Sequence, residues 1–142
     1  MVDKHVLRPA GVWDPSSAGF EHPQPFSQGI VCESGRMVFA AGQVALDPDG
    51  AVIGVGDPAA QTEATLENLQ RVLNEGGATL KDVVRLTVFL TDMAYLPAVQ
   101  EVRARYFPTD PPASSTIEIS ALVVPELVVE IDAIAVVDPP PN

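Results

Sequence analysis

The chain contains a single cysteine, Cys32, among 142 residues. One thiol cannot close an internal disulfide, so a disulfide-stapled secreted scaffold is excluded and a reducing compartment is implied. Histidine is almost as scarce. His5 and His22 stand far apart in a loop-like N-terminal stretch, and neither belongs to a Cys/His cluster. No metal site and no cofactor are expected from such a set. Nor does a histidine or lysine stand at a spacing that would activate a serine nucleophile. Long apolar runs are missing too: none approaches the ~20 residues of a membrane span. The N-terminus MVDKHVLRPAGVWD has no apolar signal core and no small-residue cleavage site, which points to the cytoplasm and to no membrane partner.

Positive charge is also in short supply. Eight basic residues face 19 acidic ones, for a net charge of −11. Such a field repels phosphate backbones and anionic surfaces. The basic residues are scattered, only Arg103 and Arg105 are close, and no basic stripe with interleaved aromatics exists. Nucleic acid is therefore not expected as a partner. The glycine-containing GVGD at Gly54 to Asp57 lacks the phosphate-loop lysine and the dinucleotide spacing, and reads as a strand end and helix cap.

Apolar residues, at 46%, are enough for the core of one domain, which we place at 25–138. A Pro/Ser/Gly-rich arm precedes it at 1–24, with a short strand allowed at His5 to Leu7, and a polar tail follows at 139–142. The segment IVCESGRMVFAAGQVAL, broken at Ser34-Gly35, predicts a β-hairpin, and a short strand is expected at Ala51 to Val55. Asp57-Pro58 predicts a helix start, with Asp as N-cap and Pro at the first helical position. Thr62, Thr65, Leu66, Leu69, Val72 and Leu73 fall on one helical face, and Gly76-Gly77 ends it. Thr79 with Asp82 is a candidate capping box. VVRLTVFL, Val83 to Leu90, predicts a strand, and Leu96, Val99, Val102 and Tyr106 mark a second amphipathic helix ending at Phe107-Pro108.

The stretch Pro112 to Val137 gathers most of the chemistry-bearing side chains. It predicts two strands joined by a short turn near Pro125. Ser114, Thr116, Glu118 and Ser120 alternate with Ser115, Ile117, Ile119 and Ala121, and Glu130 and Asp132 share a face. The element order is α+β, with two helices able to cover only one face of a mixed sheet. The other face is expected to carry Thr87, Thr116, Glu118 and Glu130, and to bury itself against a symmetry mate. Trp13, Tyr95 and Phe107 could rim a pocket, although packing is the commoner fate of aromatics.

Several blocks then carry a resemblance: GIVCESGRMVFAAGQVALDPDG, DPAAQTEATLENLQRVLNEGGATLKDVVRLTVFLTDM, ARYFPTDPPAS and VVEIDAIAVV. Together they resemble the Rid family (YjgF-like, reactive-intermediate deaminases), over roughly Pro25 to Val137. SALVVPELVVEI and the DPAAQT helix start are most similar to its aminoacrylate-deaminating, RutC-like branch. The resemblance implies a chorismate mutase-like fold, a homotrimer with clefts between subunits, and hydrolysis of a small imine or enamine. It assigns the water-handling glutamate to Glu130, the substrate-orienting glycine backbone to Gly42, the pocket aromatic to Phe26 and a helix-borne amide to Gln100. Thr116 takes the place often held by Cys. The arginine that grips the substrate carboxylate falls on Ser114, one neutral donor on a shorter side chain. Arg103, Arg105 and Arg8 are the candidates for returning a guanidinium to the cleft. Loss of the arginine leaves two expectations open: a deaminase with an unusual substrate, or a trimeric small-ligand-binding homologue without chemistry. A ribonuclease reading fits poorly with the acidic charge.

Overall fold

Local capping and turn chemistry place the helices on a sheet whose pairing is mostly long-range. The computed structural model describes residues 2–17 and 24–139; His22 and most of the polar tail lie outside them. Strand β1, Lys4–Leu7, pairs antiparallel with β2, Gly29–Cys32, in a small separate sheet. The main sheet holds β3, Arg36–Gln43; β4, Val83–Leu90; β5, Ala113–Glu118; and β6, Val129–Val137. Their spatial order is β3-β6-β4-β5, with β4 and β5 parallel and the other pairs antiparallel.

The longer helix, α1, runs Pro58–Glu75, where the Asp57 side chain accepts from the Ala60 N–H and Pro58 sits in the first turn. Gly76 caps it, and the following Gly77 takes a φ of +78°, open to glycine at little cost. Thr79 and Asp82 do form the capping box, over a 3₁₀ turn at Leu80–Asp82. The second helix, α2, is Leu96–Tyr106, introduced by a 3₁₀ turn whose Ala94 N–H bonds Asp92. It supplies the crossover that a parallel β4–β5 pair needs.

Leu66, Leu69 and Leu73 of α1 and Val99 and Val102 of α2 pack on Leu86, Val88 and Leu90 of β4 and on Val129, Ile131, Ala133 and Ala135 of β6. The helices thus cover one face of the sheet and leave the other open. Val72 stays partly outside this core, and Val84 is only half-buried because a register shift between Val83 and Arg85 rotates it out of line.

Three expectations are corrected. The predicted hairpin does not form: its two strands exist, but β2 pairs with β1 and β3 with β6. Gly35 lies between them at φ +152°, and a Cβ there would meet the Val137 carbonyl at 2.7 Å. Glycine lets the chain pass tightly over the end of β6 and diverge instead of folding back. The strand expected at Ala51 to Val55 is reduced to one bridge, Leu46 with Val52, because Gly50, Gly54 and Gly56 all take positive φ. The last two strands are not joined by a short turn, and β4 lies between them. Residues 119–128 cross the end of β4, tied there by Ile119 N–H to the Leu90 carbonyl and Thr91 N–H to the Val128 carbonyl, at 2.8 and 3.1 Å.

Candidate functional site

The alternation in β5 identified which residues share a face but assigned that face to the wrong side of the sheet. The parallel register sets Ser114 beside Leu86, Thr116 beside Val88 and Glu118 beside Leu90, all three leucine and valine partners being fully buried. Ser114, Thr116 and Glu118 therefore point to the helix side, at the sheet edge. Glu118 there accepts from the Met93 N–H at 2.8 Å. The open face instead carries Arg85, Thr87 and Phe89 of β4, Ser115 and Ile117 of β5, and Glu130, Asp132, Ile134 and Val136 of β6. Of the four residues expected on it, Thr87 and Glu130 are present. Arg85 bonds the Ser115 hydroxyl, and Asp132 accepts from the Thr87 N–H. Met37 and Phe39 of β3 join this face beside Val136 and Ile134, and Phe39 is 67% exposed.

Two groups emerge from the candidate residues. Glu130 and Gly42 form the first. The β3–β6 ladder slips between Ala40 and Gln43, leaving Ala41 and Gly42 out of register. Bulges of this kind re-aim backbone groups and side chains. Gly42 has no side chain, and the Glu130 carboxyl occupies that space: a Cβ on Gly42 would stand 2.7 Å from the Glu130 carboxyl carbon and 2.8 Å from its Oε2. Glu130 is half-buried, flanked along its strand by the buried Val129 and Ile131.

Arg103 organises the second group. Its guanidinium is fully buried and donates to Gln100 Oε1 at 2.8 Å, Ser114 Oγ at 2.9 Å and the Pro25 carbonyl at 3.3 Å. Gln100 also reaches Gln24, at 3.4 Å. Ser114 and Gln100 thus meet on one cation, and Thr116 follows two residues along the same face of β5. Phe26 comes next to Pro25 and packs against Trp13, ring centroids 6.2 Å apart. Both rings line a cavity of about 740 Å³ between the arm and the end of α2, with Leu7, Phe107 and Pro108. Glu130 and Gly42 do not line it. Of the three arginines that could have supplied a guanidinium, Arg103 is the one at Ser114. Arg105 bonds Glu63 and Arg8 stands near Asp14.

Within one chain the two groups lie on opposite faces of the sheet. The six candidates therefore do not form a single site in one protomer. Among the described residues no three His, Cys, Asp or Glu side chains stand close enough to hold a metal ion, and no helix is long and apolar enough to cross a membrane.

Behind Glu130, a buried glutamine fixes the crossing segment. Gln61 of α1 donates to the Glu126 carbonyl at 2.8 Å and accepts from the Val128 N–H at 2.9 Å. The two partners stand four and two residues before Glu130, so α1 positions the start of β6. Sequence reading had not singled out Gln61. Its spacing from Thr65, Leu69 and Leu73, steps of four, was the available signal.

The family model described as Endoribonuclease L-PSP matches residues 18–137. Protein DfrA of Myxococcus xanthus is 46% identical over 112 residues, 79% of this chain and 85% of its own length. The 3-aminoacrylate deaminase RutC of Acinetobacter baylyi is 38% identical over 135 residues, covering 94% of this chain and 98% of its own. Among solved structures, the Rid-family protein YyfB from Yersinia pestis superposes with a TM-score of 0.82 at 37% identity, covering 94% of this chain and 98% of its own.

Proposed function

The chain belongs to the Endoribonuclease L-PSP family, the YjgF/Rid proteins, and from that membership we propose that it hydrolyses a small imine or enamine to a carbonyl compound and ammonia. One observation carries the chemistry: the Glu130 carboxyl set over Gly42, on the open face of the sheet. A water held by that carboxylate attacks the C=N carbon, and Glu130 accepts one of its protons. The new C–O bond gives a carbinolamine. Glu130 returns that proton to nitrogen, then takes the carbinolamine hydroxyl proton and passes it to nitrogen as well, so that C=O forms, the C–N bond breaks and ammonia leaves with both protons of the water. Atoms balance without an oxidant or cofactor. General acid–base help of this kind is worth roughly 10²–10⁴ in rate. Gly42, outside the ladder, offers backbone groups to orient the substrate.

Completing the cleft requires a second copy. Ser114, Thr116, Gln100 and Phe26 stand on the other side of the sheet from Glu130 in one chain, so a neighbouring subunit must bring one group to the other. A homotrimer packed through the open, partly apolar face supplies that neighbour. The family's endoribonuclease description fits this chain less well. Its charge is −11, Arg103 is buried, and Arg71 and Arg105 are paired with Glu67 and Glu63. Little cationic surface remains for a phosphate backbone.

The second reading, a trimeric ligand-binding homologue without catalysis, is favoured by Ser114 standing where the resemblance places an arginine. Release of carbonyl product and ammonia from freshly generated imines separates the two. Acceleration above buffer supports the hydrolase. Saturable binding of the same compounds with no acceleration supports the binding protein.

A further inference from the structure

The cavity between the arm and the end of α2 is a second concave site, set apart from Glu130 and Gly42. Phe26 is the one candidate residue that lines it; Ser114, Thr116 and Gln100 do not. Its volume of about 740 Å³ falls within the ~300–1,000 Å³ of small-molecule pockets. The walls are Leu7, Val12, Trp13, Phe26 and Phe107, interleaved with prolines. Of the three aromatics expected at a pocket rim, Trp13 and Phe107 are here, and Tyr95 packs on the core instead. Leu7 and Trp13 line this hollow yet stay 47% and 42% exposed. Covering apolar surface of that kind is favourable in proportion to its area.

The main chain holds both rings in place. Gln28 Nε2 donates to the Trp13 carbonyl at 2.8 Å, and the Gln24 N–H to the Pro15 carbonyl at 2.9 Å, so the arm is tied back beside Trp13. The Ser27 N–H bonds the Pro112 carbonyl at 3.0 Å and its hydroxyl bonds the Pro111 carbonyl, which seats Phe26 against the loop after α2. A site fastened in advance loses less to ordering when it binds. The Trp13 and Phe26 rings meet at 56°, centroids 6.2 Å apart, as one bent wall rather than two facing plates. A flat ring laid along one of these planes meets the other edge-on, the two geometries aromatic pairs prefer. Charge decides the rest. The ionic side chains among the described lining residues are Arg8, Asp14 and Asp110, and Arg8 stands 4.0 Å from Asp14. One cation against two carboxylates, in a chain of net charge −11, disfavours an anion. We infer that this cavity is a binding site for an uncharged, flat aromatic molecule, separate from the proposed imine cleft. The inference does not rest on the hydrolase reading.

The test titrates β-naphthol into the full-length protein by calorimetry and follows the indole N–H signal of Trp13, the sole tryptophan, by NMR. One molecule is expected to bind per chain, saturably, and to move that signal. Naphthalene-β-sulfonate, the same rings carrying a negative charge, should bind at least about tenfold more weakly. Decahydronaphthol, the same skeleton without flat rings, should bind at least about threefold more weakly. Trp13→Leu keeps an apolar side chain but removes the ring. It should lose about tenfold in affinity for β-naphthol while holding decahydronaphthol within about twofold. Ala104→Phe fills the hollow from α2, away from the hydrogen bonds of the arm, and should weaken β-naphthol by at least about tenfold. Absence of saturable binding overturns the inference, as does binding that leaves the Trp13 signal in place. So does equal affinity for the three probes, or undiminished binding by Ala104→Phe. If Trp13→Leu merely loosens the arm, it weakens β-naphthol and decahydronaphthol alike, and that result also overturns it. If Trp13→Leu does not fold, Phe26→Leu serves by the same comparison: selective loss of β-naphthol supports the inference and parallel loss overturns it.

Discussion

The Glu130 carboxyl fills the place where a side chain at Gly42 would begin, 2.7 Å separating its carboxyl carbon from a Cβ built there. The two residues sit on neighbouring strands at the one point where their ladder slips. Gly42→Ala therefore meets the far end of a flexible side chain rather than backbone. The variant is expected to fold, at a cost of about 1 kcal/mol, and to push the carboxylate aside. Misplacing a catalytic group by about 1 Å can cost 10²-fold in rate. Thermal melting and ammonia release measured on the same preparation check this: a small loss of stability with a large loss of rate is the predicted pair.

Removal of Gln61 should unfasten the segment that leads into Glu130. Gln61→Ala leaves the Val128 N–H and the Glu126 carbonyl without their partner. An unsatisfied buried polar group costs about 1–3 kcal/mol. The expected outcome is a destabilised protein whose new protease cuts fall within residues 119–128, read by mass spectrometry. Cuts confined to the arm would contradict this role.

Phe39, 67% exposed beside Met37 on the open face, should be covered in the assembled protein. Light scattering on the wild type is expected to give about three times the 15.0 kDa of one chain. Phe39→Asp places a charge in that contact and should shift the mass towards the monomer, with imine hydrolysis falling alongside. An unchanged mass would show that assembly uses another surface.

Asp57 holds the first turn of α1 through the Ala60 N–H at 3.0 Å. Loss of an N-cap of this type costs about 1 kcal/mol, or roughly 3 °C in a domain of this size. Asp57→Ala should show that shift in a thermal melt, and Asp57→Ser should recover most of it.

Local chemistry made much of the fold legible. Asp57-Pro58, Gly76 and the Thr79–Asp82 box mark their elements because each acts within one turn of chain. Leu86, Val88 and Leu90 declared β4 by their period. Pairing was harder, because β2 and β3 are adjacent in sequence yet bond to β1 and β6, and the glycine that separates them looks like any hairpin turn. The face of β5 was misassigned because alternation groups Ser114 with Thr116 and Glu118 without saying which side the helices cover. Arg103 stands four residues after Val99 and seven after Leu96, squarely on the apolar face of α2. An arginine in that position was a sign of a buried cation. Two of its partners, Pro25 and Ser114 of β5, are distant in sequence and meet it only in three dimensions.

Whether Glu130 performs the proposed chemistry is read from ammonia release by wild type and Glu130→Gln acting on a freshly generated imine. The glutamine keeps size and polarity but cannot take a proton from water. The wild type is expected to accelerate the release and the variant to lose roughly 10²–10⁴ in kcat, with the same oligomeric mass and melting temperature. Equal rates for the two proteins would contradict it and place the chemistry, if any, elsewhere.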